Sequence, residues 1–426
     1  MLSLVPILAI GLSLLSGADT TRTRWTLAEY LTLVESANPE LAAARERLTA
    51  AEARVGPARR PPDPMIEFGL MNRSLPRFGK RSPVAMDQVR ISQSIPVPGR
   101  LGAATSAARE RAGGDGRQIE ETQSLLRWRA TTDWIELDRL DRTAALLENF
   151  GPALRSLEDI TRTRYAVGQG EQADAIRAQL EAAKFAEEPI TLQADRRAAV
   201  ARLNALALRG SEARIDAVIL PSLPDTVPPI AELIERSLRS RPLLAVRRAA
   251  RQAAASDRRQ ADFNRWPDLE FGIAYGQQPM FDGPGTDRML SVTVGASLPI
   301  WSGSRQRQVR REAAAMERMA AAEIVAAEAE TRARIGELAA EADRANRLQA
   351  LYRGTLIPET RGAAASALAG YRAGRIDFET AISAQLAVVR TELEVVRLSA
   401  GYARALAELE YLTAMSFTTV PDGGSQ

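Results

Sequence analysis

Any chemistry performed by this chain must be built from carboxylates, hydroxyls and guanidinium groups, because neither Cys nor His occurs among its 426 residues. That absence excludes disulfides, thiolate nucleophiles, imidazole bases and metal sites made of Cys or His. Carboxylate pairs remain available for proton transfer, yet none is set apart by its context, and no Ser-centred elbow is present. No catalytic residue, metal site or cofactor is therefore expected. The 56 basic residues, nearly all Arg, stand against 53 acidic ones, a net charge of +3 that is small for this length. No block of like charge suggests a track for nucleic acid. The function has to come from architecture.

Ala and Leu dominate the composition and aromatics make up only 5%, which favours long helices. Two runs, Gly99 to Val167 and Ser304 to Ala373, are about 69 and 70 residues long with few interruptions. At 1.5 Å per residue each helix would reach roughly 100 Å, far beyond the usual globular helix. Pro152 and Pro358 lie at equivalent places in these runs and predict a shared kink. Each run ends in a short turn, Val167-Gly168-Gln169-Gly170 and Ala373-Gly374-Arg375, after which a second helix returns. Gly168 and Gly374 suit helix termination. In the last helix Ile382, Leu386, Val389, Leu393 and Val396 recur at the spacing of a coiled-coil seam.

Ahead of each long run comes a shorter helix, Thr26 to Ala58 and Pro229 to Asn264, and then two strands of period two. Ile66, Phe68 and Leu70 alternate with Glu67, Gly69 and Met71; Leu269, Phe271, Ile273 and Tyr275 alternate with Glu270, Gly272, Ala274 and Gly276. One face is apolar and the other small or polar, which suits a tilted membrane strand as well as one wall of a soluble sandwich. Four strands cannot close a barrel alone, so the membrane reading requires several chains to pool theirs. The loops at 72–84 and 277–287 are rich in Gly, Pro, Ser and charge.

The chain is a tandem repeat. Asn38-Pro39-Glu40-Leu41, Pro64, Glu67-Phe68-Gly69 and Pro96 have counterparts 203 positions later; Pro152, Tyr165, Gly168 and Ala178-Gln179-Leu180 have theirs 206 positions later. A small drift with order preserved marks a duplicated unit. The expected organisation is a first unit over 19–220 (strands 64–72 and 86–97, helical hairpin 99–209, tip 165–170) and a second over 221–415 (strands 267–277 and 288–299, hairpin 304–414, tip 371–377). Residues 1–18 read as a secretory signal peptide cleaved after Ala18, and 416–426 as a flexible tail. With no Cys after the signal, a lipid on an N-terminal Cys is excluded.

Several stretches carry a resemblance together. They are Trp25-Thr26-Leu27-Ala28-Glu29 with Asn38-Pro39-Glu40-Leu41, Pro61 to Leu70, Ser92 to Arg100, and Tyr371 to Phe378 with Ala384-Gln385. By their order and spacing the chain resembles the outer-membrane efflux protein family over Trp25 to Met415, and Pro96-Val97-Pro98-Gly99-Arg100 is most similar to the subgroup serving heavy-metal resistance pumps. The resemblance implies a mostly α fold with a membrane β-barrel: a homotrimer pools four strands per chain into a twelve-stranded barrel, and long hairpins form a periplasmic tube. It implies an outer-membrane exit duct, in contact with outer-membrane lipid, fed by a proton-driven inner-membrane transporter through a periplasmic adaptor (membrane fusion) protein.

The same resemblance gives the turns a role. Tyr165, Gly168, Gly170, Tyr371 and Gly374 fall where adaptor hairpins dock, and Arg372, Arg375, Asp377 and Glu379 are candidate gate or entrance charges, with the arginines as partners of the acids. Glu67 and Glu270 would face the barrel lumen. Cargo stays open: heavy-metal cations, organic solutes, or proteins of a type I secretion system. An exported helical structural or adaptor protein is the rival that lacks lipid-facing strands, and a pore with hydrolase activity has no residues to support it.

Overall fold

A computed structural model describes residues 25–73, 84–216, 218, 220–280 and 283–417. The expected signal peptide and almost all of the expected tail lie outside them. In chain order, helices α1 (Leu27–Ala37) and α2 (Pro39–Ala58) precede strands β1 (Met65–Met71) and β2 (Met86–Ile95). Then follow α3 (Arg100–Ala166), α4 (Gln172–Leu206), α5 (Ile230–Ser240), α6 (Pro242–Phe263), β3 (Asp268–Pro279) and β4 (Thr286–Ser297). Helices α7 (Arg307–Leu351), α8 (Ile357–Arg372) and α9 (Phe378–Thr413) complete the chain. Among the described residues no helix is long and apolar enough to cross a membrane.

Each of the two short helices expected before the strands is in fact a pair. Asn38 is extended (φ −70°, ψ 127°) between α1 and α2, and Arg241 (φ −64°, ψ 119°) between α5 and α6. In both places the next residue is Pro, whose ring excludes the helical region for its predecessor. Asn38 uses the break: its side-chain amide donates to the Leu206 carbonyl at 3.0 Å.

The chain divides into two compact units, each drawing on both halves of the sequence, with divisions after Asn38, inside α3, at the start of α5 and inside α7. One comprises Pro39–Ser124 and Ala231–Arg334. It holds a single antiparallel sheet in the order β1-β2-β3-β4. The strand ends that lead into helices share one end of the sheet. There Arg100, first in α3, donates from Nη1 to both carboxylate oxygens of Asp268, first in β3, at 2.7 and 2.8 Å. Gly99 takes φ +94°, and a Cβ on it would lie 2.6 Å from the Phe263 ring, so the Pro-Gly-Arg motif is a tight turn under that ring.

The other unit combines the segment ending at Asn38 with Leu125–Ile230 and the segment from Ile335 onward. Its core is built on Tyr30 and Trp134, fully buried and stacked with centroids 5.1 Å apart. The Tyr30 hydroxyl donates to the Leu203 carbonyl at 2.7 Å, which ties α1 to the end of α4. Further along, Ile135 packs with Ala400, Ala403 and Ala407, where small side chains let helices approach closely. Of the expected seam, Ile382 and Val389 are buried, and Leu386, Leu393 and Val396 are half-buried.

Candidate functional site

Both long hairpins turn on the same backbone device. Gly168 and Gly374 adopt φ +74° and +68°, the left-handed conformation that terminates helices. In the first turn the Gln169 N–H donates to the Arg164 carbonyl (2.8 Å) and the Gly168 N–H to the Tyr165 carbonyl (3.0 Å). In the second the Arg375 N–H donates to the Gly370 carbonyl (2.9 Å) and the Gly374 N–H to the Tyr371 carbonyl (3.0 Å). This paired closure is the Schellman arrangement. Gly170 sits in a tight place: a Cβ there would come within 3.2 Å of the Tyr165 nitrogen and the Arg164 Cβ.

The side chains around the two turns differ. Tyr165 is 46% exposed beside Val167 and Ile176, which are also open to solvent, whereas Tyr371 is 2% exposed. Tyr371 packs with Leu154, Leu157, Ala178, Phe378, Ala381 and Ile382, its ring edge-on to Phe378 at 5.9 Å. Its hydroxyl donates to Thr161 Oγ1 at 3.3 Å. Arg164, which sequence reasoning passed over, crosses from the first turn to the second. Its guanidinium donates to the Tyr371 carbonyl and to the Gln169 carbonyl (3.1 Å), and lies 4.8 Å from the Tyr371 ring centroid. The signal available in sequence was the offset: the residue 206 positions after Arg164 is Gly370.

The expected charge pairs are replaced by others. Asp377 caps α9, accepting from the Thr380 N–H at 2.7 Å, and this bond holds its carboxyl below the usual range. Glu379 lies 3.8 Å from Arg177 of α4, while Arg372 and Arg375 are exposed and pair with neither acid. The reason is geometric: a residue at the helix cap is committed to the backbone, and Glu379 points toward the neighbouring helix. Asp174, also at this end, has its carboxyl pushed up by burial, with Glu171 and Asp377 adding to the effect.

Pro152 and Pro358 are accommodated differently. Helix α3 runs on through Pro152, whereas Pro358 follows a π-helical turn over Tyr352–Leu356 that separates α7 from α8. A third proline, Pro189, lies inside α4.

On the sheet, strand register sorts the residues onto two faces. Phe68, Val89, Tyr275 and Leu290 align across all four strands, as do Ile66, Ile91, Ile273 and Val292. All eight are exposed, an uninterrupted apolar surface that demands a covering medium. The opposite face carries Glu67 and Glu270, as expected from their spacing. Register adds that Glu67 lies directly across from Arg90, so its charge is met by an opposite one, while Glu270 stands between Ser94 and Gly295. Gly69, Gly272, Gly276 and Gly295 share this face, and a Cβ at Gly272 would lie 2.6 Å from Thr293 Oγ1.

The chain matches the family model of outer membrane efflux proteins over residues 31–207 and 233–414. No curated protein matches it by sequence. Among solved structures it is similar to a membrane protein of Pseudomonas aeruginosa (TM-score 0.77, 19% identity, 91% of this chain and 93% of that one). It is also similar to the outer membrane protein VceC of Vibrio cholerae (TM-score 0.75, 17% identity, 91% and 96% covered). A third likeness is to CusC, described by its conformational changes on transmembrane channel formation (TM-score 0.76, 13% identity, 94% and 95% covered). At these identities the structures speak for the fold, and the family match for the role. Channels of the family are trimeric and work with an adaptor and an inner-membrane transporter. With well over half of its length inside the family match, this chain belongs to the outer membrane efflux protein family, as the outer-membrane exit duct of an efflux pump with a tube in the periplasm.

Proposed function

We propose that three copies of this chain form a passive conduit in which the two turns divide the work. The first turn receives the hairpin of the periplasmic adaptor, and the second holds the entrance shut. The observation that supports this division is the contrast between exposed Tyr165 and buried Tyr371. Tyr165, Val167 and Ile176 offer apolar contact area at little ordering cost, with Gly168 and Gly170 shaping the turn beneath them. Gly374 and Tyr371 belong to the closed element, and Arg372, Arg375, Asp377 and Glu379 give the entrance its charge. Cargo is chosen by the proton-driven inner-membrane transporter. Among the described residues no group of three or more acidic side chains is placed to hold a metal ion, and a heavy-metal cargo would pass by the general pull of wall carboxylates such as Glu270.

The test is site-specific photocrosslinking to the adaptor from positions 165 and 371 of the purified trimer, together with its current in a planar bilayer. Crosslinking from 165 and not from 371, with a low current that rises on Tyr371→Ala, supports the division of labour. Equal crosslinking from both positions sinks it.

A further inference from the structure

The apolar face of the sheet does not stop with β4. Leu298 and Ile300 continue its alternation beyond Ser297 at 73% and 76% exposed, followed by Trp301 at 65%. Trp266, just before β3, is also exposed, with the Arg265 guanidinium 5.3 Å from its ring. At this end of the sheet lies a cavity of about 350 Å³ lined by Arg100, Trp266, Asp268, Leu298, Arg305 and Gln306.

Two side chains in that wall are left incomplete. Arg100 is neutralised by Asp268, but Arg305 has no anionic partner among the described residues. Gln306 Oε1 is buried without a donor. A solvent-exposed cation beside a buried unsatisfied acceptor suits a ligand that carries negative charge and a hydrogen-bond donor together. The place in the fold narrows its identity. All four strands run into helices here, so this is the periplasmic edge of the barrel, at the headgroup level of the inner leaflet. Exposed Trp beside Arg is the composition of such an edge, and basic groups at a membrane surface attract anionic headgroups.

We propose that this cavity binds the headgroup of an anionic glycerophospholipid. The phosphate lies against Arg305, a headgroup hydroxyl donates to Gln306 Oε1, and the acyl chains run along Leu298, Ile300 and Trp301. The proposal rests on the outer-membrane placement of the sheet.

The test uses the full chain in phosphatidylcholine vesicles containing phosphatidylglycerol, with the acyl chains of one lipid or the other brominated to quench tryptophan. The expected result is stronger quenching by brominated phosphatidylglycerol than by brominated phosphatidylcholine at equal fraction. Arg305→Gln should lower that preference about fivefold, and Arg305→Lys should keep most of it. Arg311→Gln, at an exposed arginine of α7 outside the cavity, should leave it unchanged. Equal quenching by the two lipids, or equal losses in Arg305→Gln and Arg311→Gln, would overturn the site while leaving the membrane placement intact. A protein that fails to float with any vesicle would overturn the placement and the site with it.

Discussion

Tyr165 and Tyr371 occupy the same position in the two hairpin turns, three residues before a left-handed glycine, yet one is 46% exposed and the other 2%. The backbone hydrogen bonds around them are the same within about 0.1 Å, so the turn itself does not cause the difference. The side chains around them do, beginning with the residue one step earlier. Arg164 in the first turn is long enough to reach the second, and its counterpart Gly370 leaves room that Ile376 fills, with Ile376 Cγ1 3.3 Å from where a Cβ would be. Duplication supplied two copies of a turn, and Arg164 of one reaches the backbone of the other. That contrast can be sharpened or broken by experiment.

The largest effect is expected from the two tyrosines. Tyr371→Ala should cost about 3–5 kcal/mol, the usual penalty for truncating a fully buried aromatic, and Tyr165→Ala less than about 0.5 kcal/mol, read as thermal unfolding of the detergent-solubilised protein. Equal losses would mean the environments do not differ as described. Next is the clamp. Arg164→Ala removes charged hydrogen bonds to two carbonyls and should cost about 1.5–3 kcal/mol, with a higher bilayer current; an unchanged current would separate the clamp from the gate.

The glycines come third. Gly168→Ala and Gly374→Ala each force a side chain into the left-handed region, at about 1–2 kcal/mol. The two should cost alike, since the nearest atom to a Cβ at Gly374, Arg164 Nη2 at 3.4 Å, is an ordinary contact, and nothing lies within 4 Å at Gly168. A clearly larger loss at Gly374 would show that Arg164 is held too firmly to make room.

The smallest effect concerns Asp377. Because its folded-state carboxyl titrates below the ordinary value, the cap's stabilisation is complete above that ordinary value and is lost as pH falls through the depressed one. Hydrogen exchange in the first turn of α9 should therefore quicken, relative to a reference peptide, as pH drops below about 4. Asp377→Asn, which still accepts from the Thr380 N–H, should abolish the change. Glu171 stands at the same point before α4 without a side-chain cap, so α4 should show no such dependence from its cap residue.

Much of this was readable in advance, for identifiable reasons. Strand period and helix length are local signals, and all four strands came within two residues of their expected bounds. The breaks at Asn38 and Arg241 were also local, but apolar periodicity carries across a proline and hides the extended residue before it. Arg90 beside Glu67 depends on hairpin register, which alternation alone does not fix. Arg164 lay furthest out of reach: its partner is 207 positions away, and no local pattern distinguishes it from the many other arginines on these helices. The π-helical turn before Pro358 likewise has no signature in residue type.

The polar face of the sheet, with Gly69, Gly272, Gly276 and Gly295 set among Glu67, Glu270, Ser94 and Thr293, has a consequence for traffic. Bare backbone and small side chains set between the charged ones leave patches of this face with little for a travelling molecule to grip. Weak attachment means short dwell times, and short dwell times let unlike passengers share one bore without any of them blocking it.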